Sequence, residues 1–569
     1  MTSPHPRIRA PKDRHKRPAP RPDETLFGLD SRVSGTHATS ELVIVDLFAG
    51  AGGASTGYEQ ALGVNISVAV NHSPDAIETH TLNHPGTRHY LTDVFEVDPL
   101  EATGGRSVDL LHASPDCTTY SSAKGAAPVR RKLRSLPWVA LRWLGTVRPR
   151  FMVMENVSEI MTDWGPLVAR RDATGKAVMI PRVNDRGQPV TGPDGTPLLE
   201  QQLTNTRHPK KRNRHWKTFL AQIRRLGYHV EHRVLCAADY GAATTRERLF
   251  IIASRDHDVI PWPEQTHAAP HDPRVQAGEL LPWVGVESAI DFSVPTRSVF
   301  GRARPLADTT LRRVAQGLVR HHLKGEAYLI TANHGSVTFR GQSVAAPMAT
   351  ITAAHDAHGL ISALSSHGGH VRAWPSDIIS GSVDPKAAGL TARDAAALIL
   401  GVGGRAGQCV PRNVNQPLYT TTTKADVALL QAPVNSGDHA QDVYDLLCTH
   451  LDADTLGALR ASGHLHDETR EVRVMRAGQW ETLRDLGLRM LNAEELKVAQ
   501  SFPASYALRH ADRREMSEKA KVRLIGNSVP PKYTRAIGLA LKSQITQRGT
   551  DTPPAWLAAR RAPLPQAAD

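Results

Sequence analysis

The sequence predicts an α/β protein with a mostly parallel sheet, interrupted by a large β-rich segment. Three observations carry this. Apolar runs of strand length alternate with helix-like stretches over residues 41–160. Helical spacing returns at 489–541, in LNAEELKVAQSF and KYTRAIGLALKSQI. Between them, 262–480 holds many Gly, Thr and His residues and short β-like pieces. Strands spaced by helices imply βαβ units, and such sheets carry their functional residues at the carboxyl ends of strands.

Each element follows in order. Residues 1–40 are basic and Pro-rich, with no apolar segment behind them, so they read as a disordered arm and not a secretory leader. LVIVDLF (42–48) is a strand that stops at a Gly cluster, and YEQALG continues as helix. ISVAVN and VDLLHAS are the second and third strands, and FMVMENV (151–157) the fourth. Residues about 165–215 break the pattern with a Gly-, Pro- and Asp-rich, hairpin-bearing insertion. It runs into TRHPKKRNRHWK, which reads equally as a solvated face or as a contact to a nucleic-acid backbone. FLAQIRRLGYHVEHRVL gives helix then strand, and RERLFIIASR a further strand, closing a first block at 261. Within 262–484, PMATITAAHDAHGL (347–360) and PLYTTTTKADVALL (417–430) align without gaps, which suggests a duplicated β unit. Residues 485–545 return to the first block, and 546–569 are Pro-, Ala- and Arg-rich and expected to be disordered.

At 569 residues the chain exceeds one simple domain, and 40% hydrophobic with 22% charged residues fits a soluble globular protein. No apolar run approaches membrane-spanning length, so no membrane contact and a cytoplasmic location are expected. The formal charge of +13 favours a polyanionic partner, most simply nucleic acid. An aromatic content of 5% argues against base stacking on many platforms. The four cysteines, Cys117, Cys236, Cys409 and Cys448, are too scattered for a disulfide framework or a paired-thiol metal site.

Three stretches carry chemistry. DLFAGAGGASTGYEQA (46–61) is a strand, a Gly-rich turn and a helix. From Gly50 and Gly52 the dinucleotide spacing fails at Ser55, so the loop reads as a structural turn or as a site for a cofactor without a phosphate fingerprint. Cys117 follows a strand and a Ser-Pro-Asp turn, among hydroxyl residues, with Lys124, Arg130, Arg131, Lys132 and Arg134 close behind. A buried inert thiol is the commonest state of a lone Cys; an electropositive loop instead favours a reactive thiolate. Glu155 ends the next strand and should reach the same sheet edge, as thiolate chemistry with proton transfer requires. Arg246 and Arg248 alternate on one face of an entering strand, either as a solvated edge or as substrate-holding cations.

Taken together, DLFAGAGG, SPDC, ENV, TTRER, RMLNAEELKVAQSFP and IGNSVPP resemble, in order and spacing, the motif blocks of the DNA (cytosine-5)-methyltransferases. The blocks frame about 41–260 and 485–542, and SPDCTTYSSAKG resembles a phage and bacterial branch of that family. The sequence departs from the family pattern at Asp116, where a second Pro is usual, at Thr244 in place of Gln, and at Asn71 in place of an acidic residue. An aspartate beside the thiol should raise its pKa by charge alone.

The resemblance implies a Rossmann-like S-adenosylmethionine-dependent methyltransferase sheet (41–261, with the insertion, and 485–545) and a target-recognition domain at 262–484. It implies Cys117 as covalent nucleophile at cytosine C6, Glu155 on the N3 and N4 edge, and Arg248 with Arg246 on O2 and the flipped nucleotide. Phe48, Ala49, Gly50, Gly52 and Gly53 would wrap S-adenosylmethionine, with Asn71 at the ribose, Asp93 at the adenine, and Asn527 and Val529 closing the pocket. No metal is implied. Residues 121–135 would form a loop that closes over the site with its cations on phosphates. Double-stranded DNA is the implied partner of a monomer, with or without a cognate restriction endonuclease. An RNA cytosine methyltransferase, a catalytically dead DNA-binding relative and an NAD enzyme are weaker readings. The long recognition region, the retained Cys117, Glu155, Arg246 and Arg248, and Ser55 with Asn71 speak against them in turn.

Overall fold

A computed structural model describes residues 33–34, 42–116, 120, 131–183, 188–289, 291, 297–320, 323, 438–476, 479–510, 512 and 514–547, and seven strands between 328 and 429. Cys117 and residues 121–130, with Lys124 and Arg130, lie outside the described residues, as does the tail beyond 547.

The first body is an eight-stranded sheet. Its strands are β1 (Val33–Ser34), β2 (Ile44–Leu47), β3 (Val68–Asn71), β4 (Arg88–Leu91), β5 (Leu110–Ala113), β6 (Phe151–Asn156), β11 (His229–Cys236) and β12 (Glu247–Ser254). They lie in the order β1-β4-β3-β2-β5-β6-β12-β11. The run from β4 to β6 is parallel, and β12 and β11 complete one edge as an antiparallel hairpin. At the other edge Val33 and Ser34 pair with Tyr90 and His89, so the expected arm enters the fold here and covers an otherwise open strand. The helices between these strands are α1 (Gly53–Leu62), α2 (Pro74–Asn83), α3 (Pro99–Thr103), α4 (Arg131–Ser135), α5 (Trp138–Thr146), α6 (Ile160–Asp163) and α7 (Arg214–Arg225).

Central strands of such a sheet are buried on both faces and read as continuous apolar runs. Val43, Val45 and Leu47 face one layer, with Trp143 of α5 and Phe219 of α7. Ile44, Leu110, Phe151 and Phe250 face the other, with Tyr58 of α1 and Tyr533 and Ile537 of the last helix, Pro531–Thr546.

The insertion is a set of short hairpins: β7 (Leu167–Ala169) pairs with β10 (Leu203–Arg207), and β8 (Met179–Pro181) with β9 (Leu199–Gln201). None of its described residues from 170 to 202 is buried.

The second body contains an 11-stranded sheet. It also contains helices Asp308–Arg320, Ala440–His450 and Ala453–Ala461, which the β-rich reading did not anticipate. The duplicated segments lie partly outside the described residues. Their strands, His358–His367 and Val427–Leu429, flank the same long strand, Gln479–Met490. Gly359 and Ala428 both pair with Met490, so the copies sit on opposite sides of one strand, one residue out of step with the sequence alignment. The long strand crosses the expected boundary at 484, because Leu483, Leu486 and Leu488 share one core with Leu496, Phe502 and Ile525. The break in the chain's course comes at Asn492, which caps the helix Ala493–Ala499 in a capping box with Glu495.

The last helix packs on α1 at glycines. A Cβ at Gly57 would run into Pro531 O and Thr534 Oγ1, and lie 2.7 Å from Arg535 N. Gly to Ala inside a helix ordinarily stabilises by about 0.5–1 kcal/mol. Here Gly57→Ala is expected to destabilise by about 1–3 kcal/mol through overpacking, read as a lower denaturation midpoint in urea.

Candidate active site

Strand order reverses between β2 and β5, where β2 continues to β3 and β5 to β6. Connections leave on opposite sides of such a point and open a crevice at the carboxyl ends of the strands. The chain leaves β2 through Phe48, whose φ of 62° is left-handed and strained for a phenylalanine. Ala49 N donates to Val70 O at 3.1 Å, which ties the turn to the end of β3. Gly50 and Gly52 also have positive φ. Of the three loop glycines only Gly50 looks onto open space: the nearest atom to a Cβ there is Phe48 O at 3.8 Å. A Cβ on Gly52 would meet Tyr506 Oη and, at 2.7 Å, His84 Nε2; one on Gly53 would meet Val529 O and, at 3.0 Å, Phe502. The expectation that Gly52 and Gly53 line a cofactor surface therefore changes. They admit the returning C-terminal segment, while Phe48 and Gly50 are half-buried beside them.

Asn71 ends β3 and Asp93 follows β4, both half-buried on the same edge. Asn71 Oδ1 accepts from Ser73 N at 2.9 Å, which turns its amide hydrogens toward other acceptors. Asp93 Oδ1 likewise accepts from Phe95 N at 3.2 Å, so each polar residue caps its own turn at the carboxyl end of its strand. Val529 is buried against α1, whereas Asn527 is exposed. Among the described residues no group of His, Cys, Asp or Glu could hold a metal ion, and no helix is long and apolar enough to cross a membrane.

On the other side of the crevice, Ser114 N donates to Leu47 O at 3.2 Å. Asn156 Nδ2 donates to Pro115 O at 2.9 Å, fixing the backbone two residues before Cys117. Glu155 lies opposite Phe250 in the β6–β12 ladder. Side chains two apart on a strand share a face, so Arg248 is its diagonal neighbour. Arg248 Nε lies 3.0 Å from Glu155 Oε1, and each side chain is 9% exposed. Arg246 occupies the same face but goes elsewhere: its NH1 donates to Gly526 O at 3.0 Å, and it is 2% exposed. The two arginines thus differ in their described partners, Arg248 meeting Glu155 and Arg246 using one of its five N–H donors on Gly526 O. Arg134, expected on phosphate, is also redirected. It is buried, donates to Asp163 O and Gly165 O at 2.9 and 2.7 Å, and lies over the Tyr120 ring.

The sequence reading missed three supports. Asn156 was legible in the ENV block but carried no role. Tyr506 donates to Ala51 O, and His84 Nε2 lies 3.1 Å from its hydroxyl while His84 Nδ1 meets Glu59 at 2.8 Å. Beneath the loop runs a buried polar chain: Asp46 Oδ2 accepts from Ser55 Oγ at 2.6 Å, Ser55 Oγ meets His80 Nε2 at 2.9 Å, and His80 Nδ1 meets His89 Nε2 at 2.8 Å. Burial pushes the Asp46 carboxyl up to about 7, against the hydrogen bond from Ser55. Burial and the neighbouring His84 and His89 hold His80 well below the usual imidazole range.

The switch point thus brings together a buried Glu155–Arg248 pair and a Ser-Pro-Asp turn held by Asn156. The C-5 cytosine-specific DNA methylases match residues 42–164 and 203–294, leaving out the hairpin insertion. The Type II methyltransferase M.AquIA of Picosynechococcus is 27% identical over 289 residues, covering 48% of this chain and 98% of that protein. M1.HphI of Haemophilus parahaemolyticus is 27% identical over 254 residues, covering 42% of this chain and 55% of the relative. A Spodoptera frugiperda DNMT2 structure aligns with a TM-score of 0.40 at 13% identity, covering 89% of this chain and 99% of that one. Residues 42–164 and 203–294 are thus similar to the C-5 cytosine-specific DNA methylase family, and the relatives that align with them are Type II methyltransferases.

Two outcomes follow from the site. Arg248→Ala leaves Glu155 as an unpaired buried carboxylate and is expected to cost about 3–5 kcal/mol in urea unfolding, much of it recovered when Glu155→Gln is added. The Asp46 pKa rises on folding from 3.8 to about 7, so the folded state binds the extra proton. The stability this group contributes is full below pH 4 and is lost as pH rises toward and through 7. Asp46→Asn should therefore gain thermal stability relative to the parent protein between pH 5 and pH 8, measured as the difference in Tm.

Proposed function

We propose that the crevice holds S-adenosylmethionine on Phe48, Ala49, Gly50, Asn71 and Asp93, and that a cytosine swung out of duplex DNA enters beside Glu155 and Arg248. The observation that carries this reading is the buried Glu155–Arg248 pair at the end of β6, next to the turn that leads into Cys117. When bound, S-adenosylmethionine supplies an electrophilic methyl group. Cytosine C5 is a poor nucleophile until the ring is activated. The Cys117 thiolate adds to C6, and C5 becomes the nucleophilic carbon of an enamine. Glu155 hydrogen-bonds the N3 and N4 edge and draws charge from the ring, while Arg248 holds the carboxylate in place and faces O2. After C5 is methylated, its proton leaves to a base, the C5–C6 double bond re-forms and the Cys117–C6 bond breaks. Extrusion of the base costs a few kcal/mol of unstacking, which the second body helps offset by contacts to the duplex. Arg246, anchored by one N–H on Gly526 O, stands with Arg248 to hold O2 and the flipped nucleotide.

Cys117→Ala should retain DNA binding and lose methyl transfer by about 10⁴-fold or more. Duplex DNA carrying 5-fluorocytosine at the target should trap a covalent protein–DNA adduct, because fluorine at C5 cannot leave as a proton. Bisulfite sequencing of host DNA after expression gives the target sequence. Methyl transfer by the Cys117→Ala protein at the parent rate would overturn the nucleophile assignment.

A further inference from the structure

The insertion has a construction that its composition does not suggest. Arg170 N donates to Gln202 O, Gln202 N to Val178 O and Val178 N to Arg170 O, at 2.7, 2.8 and 2.8 Å. Each residue gives one bond and takes one, so three strands close into a ring. A second ring joins Arg182, Leu198 and Val190 in the same way at 2.7, 2.8 and 2.8 Å. The rings are two three-way junctions joined by β8 and β9. The sequence repeats to match: Gly-Lys-Ala-Val (175–178), Gly-Gln-Pro-Val (187–190) and Gly-Thr-Pro-Leu (195–198) each run into a junction residue, Val178, Val190 or Leu198. Among its described residues from 170 to 202 none is fully buried, although Val178, Ile180 and Val190 are partly covered. Its stem is clamped, with Trp164 fully buried and Arg212 paired to Asp163 at 2.7 Å. A rigid stem carrying an exposed, coreless head is built to touch something outside the chain.

Its position and surface say what. It leaves the carboxyl end of β6, so it stands on the same sheet edge as Glu155. Arg170, Arg171, Lys176 and Arg182 are exposed on it. The exposed acids Asp172 and Asp194 are occupied in their own turns, accepting from Thr174 and Thr196. Met179 and Leu199, 47% and 59% exposed, share one face of the β8–β9 hairpin by register. Cations beside a small apolar face suit phosphates and the sugar edge of a groove.

We propose that this outgrowth is a second DNA-binding element that grips the duplex to one side of the target cytosine, independently of base sequence. The proposal rests on the cytosine-in-duplex reading of the active site. Strand rise along the stem and β8 gives a reach of roughly 20 Å, or about six base pairs.

The test uses the full chain and duplexes with a fixed target and flanks of increasing length. Replacing 170–202 by Asn-Gly joins Ala169 to Leu203, which already pair. The parent protein should show a KM for DNA that falls as one flank passes about six base pairs. The shortened protein should lose that dependence, with KM on long DNA raised about tenfold and kcat unchanged. If the shortened chain fails to fold, Arg170→Ala/Arg171→Ala/Lys176→Ala/Arg182→Ala tests the same point, because the junction bonds are main-chain. Its log–log salt slope should flatten by up to about 0.9 for each lost phosphate contact. Unchanged KM, flank dependence and salt slope would overturn the proposal, as would loss of self-association or of protein binding with KM for DNA unchanged. Absence of methyl transfer by the parent protein on every duplex would instead overturn the active-site reading.

Discussion

The catalytic layer depends on close approach between α1 and a helix from the far end of the chain. A Cβ at Gly538 would stand 2.7 Å from Ala61 Cβ, and Gly53 and Gly57 leave no more room. Main-chain carbonyls fix the rest: Thr534 Oγ1 donates to Ala54 O at 3.1 Å, Lys542 Nζ to Ala61 O at 2.9 Å and Arg150 NH1 to Ile545 O at 2.8 Å. Contacts of this kind tolerate almost no displacement, so the helix has one seat. Everything between β12 and the return must leave the sheet edge and come back to it. The second body is therefore an excursion with its ends pinned, which explains why its core runs without interruption into Leu496, Phe502 and Ile525.

The same constraint decides which residues face the substrate. The returning segment takes the Arg246 guanidinium through Gly526 and receives the Gly52 and Gly53 faces through Tyr506 and Val529. Around this seat Phe48, Gly50, Asn71 and Asp93 stay half-buried, and Glu155 with Arg248 forms a buried pair at the end of β6.

Much of this was legible in the sequence because it is local. Strand runs, the Gly turn and the ends of β5 and β6 follow from apolar spacing and breaker residues; Glu155 was placed by its position at a strand end, and Arg248 beside Arg246 by alternation. Arg246 was not legible, since its partner lies 280 positions away and nothing local distinguishes it from Arg248. Tyr506 and His84 escaped for the same reason, being joined across 422 positions. The helix Asp308–Arg320 was within reach: Leu311, Val314, Ala315 and Leu318 keep helical spacing, but Gly, Thr and His around them suggested strands. The Gly-x-x-Val/Leu stretches at 175, 187 and 195 were also in plain view, yet unequal spacing hid them as a repeat.

The two junctions of the hairpin outgrowth are made from peptide groups, which every residue supplies. Its shape is thus nearly indifferent to which side chains it carries, and its opening need not disturb the sheet that bears it. Most surfaces of an enzyme are constrained from beneath by packing; this one is not. It is a part of the molecule on which substitutions can accumulate without a toll on folding, and where the handling of the substrate can be retuned while the chemistry stays fixed.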